Sequence, residues 1–113
     1  MKCLLSIILI FLSVIPAMGK TRLLTVTVAD YAPESGWAHI NADNDREIIL
    51  QQFQSGALIT TLSESEATYH NIQKHLSKLK DNVSKGDTVI VHFSGHGQQI
   101  VAMNDSDEPD GLD

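Results

Sequence analysis

Three short runs of aliphatic and β-branched residues, separated by two stretches with helical spacing, restrict this chain more than any other feature. They are Leu23-Leu24-Thr25-Val26-Thr27-Val28, Leu58-Ile59-Thr60-Thr61-Leu62 and Thr88-Val89-Ile90-Val91-His92-Phe93. Runs this short and this continuous predict strands of a sheet buried on both faces. The first stops at Ala29-Asp30-Tyr31-Ala32-Pro33, and Gly86-Asp87 supplies a turn before the third.

Between the strands, Asn41-Ala42-Asp43-Asn44-Asp45 offers cap residues and early negative charge for a helix start. Ile48, Ile49 and Phe53 predict its apolar face, and Gly56 its end. The second helix is predicted to open with a capping box at Ser63-Glu64-Ser65-Glu66. Ala67, Ile72, Leu76, Leu79 and Val83 then form one stripe, opposite Lys74, Lys78, Lys80 and Asp81. The order strand, helix, strand, helix, strand with connections of this length makes parallel neighbours through right-handed crossovers. The fold class predicted is α/β, a three-layer α/β sandwich with a mostly parallel sheet. Functional groups in such sheets gather beyond the carboxyl ends of the strands. Three segments meet that condition: Asp30-Tyr31, Ser63 and Ser94-Gly95-His96-Gly97. Asn104–Asp113 carries turn residues and charge without apolar period, so the sheet is expected to be incomplete in this chain.

The first nineteen residues read as a processing signal. Lys2 is followed by an apolar stretch from Leu4 to Ile15, then by Pro16-Ala17-Met18-Gly19. This is the layout of a secretory signal peptide cut after Gly19, with 20–113 as the folded part and an exported, periplasmic or secreted, destination. The apolar stretch falls short of the ~20 residues a bilayer span needs, so no stable membrane span is expected after processing. Processing would remove Cys3, the only cysteine, and with it any disulfide framework. Seven Lys and Arg would remain against fourteen Asp and Glu, five of these acids lying in 105–113. Without a basic patch, nucleic acid is not an expected partner.

Only one of the three edge segments holds a group that exchanges protons near neutral pH: His96, between two glycines, directly after the third strand. Gly95 and Gly97 leave the imidazole uncrowded and are expected to let the chain turn sharply. A bare Gly-His-Gly is more often a turn that happens to contain histidine, but its place at the end of a βαβαβ unit favours function.

His92-Phe93-Ser94-Gly95-His96-Gly97-Gln98, followed by Asp107-Glu108-Pro109-Asp110-Gly111-Leu112-Asp113, resembles the histidine half of metacaspases and related caspase-like cysteine peptidases. Asp30-Tyr31, Asn44-Asp45, Glu66-Ala67-Thr68 and Asn71-Ile72 agree with that pattern in order, so the resemblance covers roughly Leu23 to Asp113. It implies the caspase–haemoglobinase fold and peptidase family C14. It also implies cysteine endopeptidase chemistry on a protein or peptide substrate. His96 would be the acid/base of a Cys-His dyad, and the Gly97 N–H an oxyanion donor. In caspases the histidine precedes its cysteine by about 50 residues, whereas seventeen residues follow His96 here. The chain is therefore expected to supply the histidine half alone, truncated before its nucleophile, and to be inactive by itself.

The resemblance further implies substrate-binding positions at Asp45, as part of an acidic pocket for a basic P1 side chain, and at Ser94. Asp45 admits a second reading of equal weight, a helix-start aspartate favoured by the dipole. No Lys or Arg lies between Thr25 and Asp45, the stretch where aspartate-cutting caspases place an arginine. That supports cleavage after Lys or Arg. The acidic run containing Asp107 and Asp110 resembles a metacaspase calcium segment, and clustered carboxylates suit a hard cation. A charge run at a chain end is more often a solvated tail, and that reading leads. Calcium is thus a possible cofactor, and none is required. Trp37 is expected to pack over the first crossover loop, and His39, His70, His75 and His92 carry no functional claim. The alternative function is a catalytically dead caspase-fold module used for binding or regulation. Behind it stands an unrelated α/β domain with His96 as nucleophile or phosphate ligand.

Overall fold

A computed structural model describes residues 19–98. The apolar leader, the acidic run with Asp107 and Asp110, and the segment between Gln98 and that run lie outside the described residues. Three seven-residue strands form the sheet: β1 (Thr21–Thr27), β2 (Ala57–Ser63) and β3 (Thr88–Ser94). The helices are α1 (Ala42–Phe53), between β1 and β2, and α2 (Tyr69–Asn82), between β2 and β3. All three predicted strands form, each within two residues of its predicted bounds. The sheet is parallel throughout, with strand order β2-β1-β3.

This order places the helices. The first crossover steps to one side of β1 and the second steps back across it. Two right-handed crossovers in opposite directions put their helices on opposite faces. The contacts agree. Leu24 and Val26 of β1 and Leu62 of β2 form a cluster packed by Ala67, Ile72 and Leu79, from α2 and its approach. On the other face, Ser63 and Ser94 stand in register with Thr27 and hydrogen-bond Arg46 and Asp45 of α1. The result is a small three-layer α/β unit, as expected from the sequence.

Burial is less even than the sequence predicts. β1 is closed on both faces, with Leu23, Leu24, Thr25 and Thr27 fully buried. The flanking strands are only partly covered: Val89, Val91 and Phe93 on β3 are 43%, 39% and 59% exposed. A strand between two others is shielded by its neighbours as well as by the helices, whereas strands flanked on one side are not.

Two helix details differ from the pattern in the sequence. Ser63-Glu64-Ser65-Glu66 does not cap α2. Glu64–Glu66 is a single 3-10 turn, and Ser63 makes no capping bond. The cap is Thr68, whose hydroxyl accepts from the Asn71 N–H at 3.2 Å. Within the 3-10 turn the Glu64 carboxylate accepts from the Ala29 and Asp30 N–H groups. In α1 the inward stripe runs Ala42, Arg46, Ile49, Phe53, while Ile48 is 60% exposed. Adjacent residues on a helix lie about 100° apart, so Ile48 and Ile49 do not share the narrow contact. α1 ends where expected, beside Gly56 at φ 100°, a backbone that residues with a Cβ rarely adopt.

Asp87 ties the amino end of β1 to the turn before β3. Its carboxylate accepts from the Lys20 N–H (2.8 Å), the Ser84 N–H (3.0 Å) and the Arg22 Nε (3.0 Å). Those donors, the Lys20 and Ser84 amides first and then Arg22, lower its pKa from 3.8 to about 2. A carboxyl whose folded pKa is depressed stabilises the fold above its unfolded pKa and loses that contribution as pH falls through the folded one. Asp87→Asn should therefore lower the melting temperature at pH 7. The difference from the parent should shrink as pH falls from 3.8 towards about 2. Paired melts across that range check it, and a pH-independent difference would refute the linkage.

Candidate active site at the carboxyl edge of the sheet

β1 and β3 run parallel in register to Thr27 and Ser94, so both chains leave the sheet side by side at its carboxyl edge. The pairing continues one step further, with the Val28 N–H donating to the Ser94 carbonyl at 3.0 Å. Beyond it lie Gly95, His96 and Gly97 on one side and the loop from Ala29 to Ile40 on the other. That loop is held at both ends. Glu64 accepts from Ala29 N–H (3.0 Å) and Asp30 N–H (3.1 Å), and the Ile40 N–H returns to the Ala29 carbonyl at 3.1 Å. Glu64 makes its contacts from φ 50°, a backbone conformation uncommon for a residue with a side chain.

His96 sits against this loop. Its Nε2 is 2.9 Å from the Ala38 carbonyl oxygen. A carbonyl can only accept, so Nε2 carries the hydrogen and the neutral ring keeps its lone pair on Nδ1. Trp37 meets the imidazole edge-on with centroids 4.5 Å apart, and Tyr31 lies against it at 4.8 Å. Tyr31 and Trp37 stack on each other at 5.8 Å. The Tyr31 hydroxyl accepts from the His96 backbone N–H at 2.7 Å and donates to the Val28 carbonyl at 3.1 Å.

The flanking glycines act differently from expectation. The positive-φ glycines among the described residues are Gly36, Gly56 and Gly86, so Gly95 and Gly97 need no left-handed turn. Gly95 is required for close approach instead: a Cβ there would stand 3.1 Å from the Tyr31 hydroxyl. Gly97 is exposed, and a Cβ there would meet nothing within 4 Å among the described residues. A cleft of about 360 Å³ adjoins His96, lined on its apolar side by Val26, Ile72 and Phe93.

Asp45 and Ser94, remote in sequence, come together, the Ser94 hydroxyl donating to the Asp45 carboxylate at 2.5 Å. Between Ser63 and Ser94 in register stands Thr27, fully buried, its hydroxyl without a partner among the described residues. Arg46 covers Ser63 at 3.1 Å. The α1 face of this edge is thus polar and the α2 face apolar, with His96 beyond the strand that borders both. The other histidine of β3, His92, points to the α1 face and meets the Thr25 hydroxyl at 3.2 Å, a partnered interior residue. Asp107 and Asp110 lie outside the described residues, and among those described no group of three or more His, Cys, Asp or Glu could hold a metal ion.

Sequence reasoning missed Tyr31 as part of the site, along with Glu64 and the Ala38 carbonyl. Trp37 lies in the first crossover loop, as expected, and its partner there is His96. The available signal was the position of Asp30-Tyr31 at the same sheet edge as His96.

An open parallel sheet with helices on both faces and a tethered imidazole beyond its carboxyl edge defines part of an α/β fold of the caspase-like kind. Comparison with known proteins narrows this. The description "Metacaspase, peptidase C14 domain" belongs to a family whose model matches residues 31–113. Metacaspase-4 of Arabidopsis thaliana is 35% identical over 54 residues, covering 48% of this chain and 13% of that protein. No solved structure matches. The chain belongs to the metacaspase family of C14 peptidase domains, a family of caspase-like cysteine peptidases. No described helix is long and apolar enough to cross a membrane.

Proposed function

We propose that this chain supplies the histidine half of a cysteine endopeptidase that cuts peptide bonds after Lys or Arg. The observation that carries the reading is the His96 imidazole at the sheet edge, with Nε2–H held by the Ala38 carbonyl and Nδ1 making no hydrogen bond among the described residues. Nδ1 takes the thiol proton, and the thiolate attacks the scissile carbonyl carbon. The resulting imidazolium then protonates the departing amine as the C–N bond breaks. Water hydrolyses the thioester, giving its proton back through the same nitrogen. The Gly97 N–H is the proposed donor to the oxyanion.

Asp45 and Ser94 are the proposed contacts for the basic P1 side chain. Supporting this, their mutual hydrogen bond fixes a carboxylate on the polar side of the sheet edge. Asp45→Asn is expected to lower kcat/KM on Arg and Lys substrates by about 10- to 100-fold, the size of one charge-assisted hydrogen bond. An uncharged P1 peptide should be affected much less. Equal losses on both substrates would leave Asp45 as a helix-start aspartate. Calcium at Asp107 and Asp110 is proposed on the chemistry of clustered carboxylates alone.

The second reading is a binding or regulatory module of the same fold without catalysis. Sequencing the gene beyond Asp113 separates the two. A cysteine at the end of a further strand supports the peptidase, and an intact frame without one supports the module.

Export with removal of 1–19 is proposed on the leader pattern. The Lys20 nitrogen is 2.8 Å from Asp87 Oδ1, so cleavage after Gly19 would convert a neutral donor into an ammonium beside a carboxylate. N-terminal sequencing checks the cut. A membrane-bound form still beginning at Met1 would overturn it.

A further inference from the structure

We infer that Tyr31 is a positioning residue for His96, fixing through its hydroxyl the peptide from which the imidazole projects. The inference rests on the peptidase reading for its consequence in catalysis, but its geometry is independent of it. Three bonds close a ring between the two strand ends. The Ser94 carbonyl accepts from Val28 N–H at 3.0 Å, the Val28 carbonyl accepts from the Tyr31 hydroxyl at 3.1 Å, and that hydroxyl accepts from His96 N–H at 2.7 Å. Both hydrogen-bonding roles of the phenol are used, one towards each strand.

The ring sets where the backbone of His96 lies, and two aromatic faces set how its side chain turns. Tyr31 and Trp37 lie 4.8 and 4.5 Å from the imidazole, and Nε2 ends on the Ala38 carbonyl. The imidazole therefore reaches that carbonyl only while its own peptide stays where Tyr31 holds it. Gly95 belongs to the same device. A side chain there would begin 3.1 Å from the Tyr31 hydroxyl and 3.6 Å from the Val28 carbonyl, entering the ring of bonds itself. Tyr31 is in turn seated by Glu64, whose carboxylate binds the two amides just before it, at Ala29 and Asp30. A tyrosine that merely filled space would need neither the hydroxyl geometry nor the missing Cβ opposite it.

The test reads His96 directly. In the 113-residue chain, ¹⁵N spectra should show the neutral imidazole mainly as the Nε2–H tautomer and the His96 amide protected from exchange. Tyr31→Phe keeps the ring and removes the hydroxyl. It should raise His96 amide exchange by about tenfold, the size of one neutral hydrogen bond, and lower the Nε2–H fraction, with β1 amides unchanged. Gly95→Ala should produce the same two changes with Tyr31 in place, which keeps the test open if Tyr31→Phe fails to fold. A freely exchanging His96 amide in the parent chain overturns the inference, as does an unchanged tautomer in either folded variant.

In the cysteine-complete protein, Tyr31→Phe should lower kcat by about tenfold with KM unchanged, and should shift the histidine limb of the pH profile. If His96→Ala there retains turnover, the peptidase reading fails while the spectroscopic result for Tyr31 stands. If His96→Ala is dead and Tyr31→Phe is fully active with an unchanged pH profile, the positioning role alone fails.

Discussion

In a cysteine-complete form of this protein, His96→Ala is expected to reduce turnover by about 10²–10⁴-fold, the usual contribution of a positioned general acid/base. The 113-residue chain, whose only cysteine is Cys3, is expected to hydrolyse nothing. Loss of the imidazole should cost little stability. Its contacts are the exposed Ala38 carbonyl and two loop aromatics rather than the strand core. An aromatic pair of this kind contributes about 0.5–1.5 kcal/mol, so a small fall in melting temperature is expected. His92→Ala should behave in the opposite way. It leaves the fully buried Thr25 hydroxyl without its partner, and a buried group so abandoned costs about 1–3 kcal/mol, while Nδ1 of His96 is untouched. Fluorogenic peptide assays on both variants, with and without calcium, set beside thermal melts, give the comparison. Near-normal turnover in His96→Ala would remove the peptidase role from this residue and favour the binding module.

The strands were legible because β-branched runs bounded by turn residues need no tertiary information to be recognised. His96 was legible because a histidine at the end of the third strand of a βαβαβ unit has one ready interpretation. The resemblance around Ser94–Gln98 then supplied the family, which the match over 31–113 bears out. What failed shows where local rules stop. Ser63–Glu66 has the letters of a capping box, but the chain makes a single 3-10 turn there and α2 begins later, capped by Thr68. Ser63 and Thr68 are both good caps by type, and spacing alone does not choose between them. Ile48 and Ile49 are equivalent by composition, and only the direction of α1 across the sheet decides that Ile49 turns inward. A glycine at 95 suggests backbone freedom, whereas its reason is the Tyr31 hydroxyl beside it. Tyr31, Trp37 and the Ala38 carbonyl were hidden for one cause: each acts on His96 from 58 to 65 residues away.

Leu24→Ala is expected to be the most damaging single substitution for the fold, and through the fold for the site. Leu24 lies on the central strand, fully buried, in the cluster with Val26 and Leu62 that Ala67, Ile72 and Leu79 cover. Truncating a buried leucine removes its transfer free energy and leaves a cavity, together about 2–5 kcal/mol. Whole domains are stable by only about 5–15 kcal/mol. The buried apolar set described here is small: Leu23, Leu24, Val26, Ala29, Ala42 and Leu62. Neighbouring side chains therefore have little material with which to refill the space. Val89→Ala on β3 serves as the control, since Val89 is already 43% exposed and such a change usually stays within about 0.5 kcal/mol. The effect should reach His96 because β1 sets both strand ends that flank it. The in-register pairing of Thr27 with Ser94 delivers the Tyr31 loop alongside Gly95. Denaturant midpoints for the two variants, with His96 amide exchange measured on the same samples, make the check. Leu24→Ala should shift the midpoint strongly and release the His96 amide, and Val89→Ala should do neither. Equal midpoints for the two would mean that the central strand is not what holds this edge together.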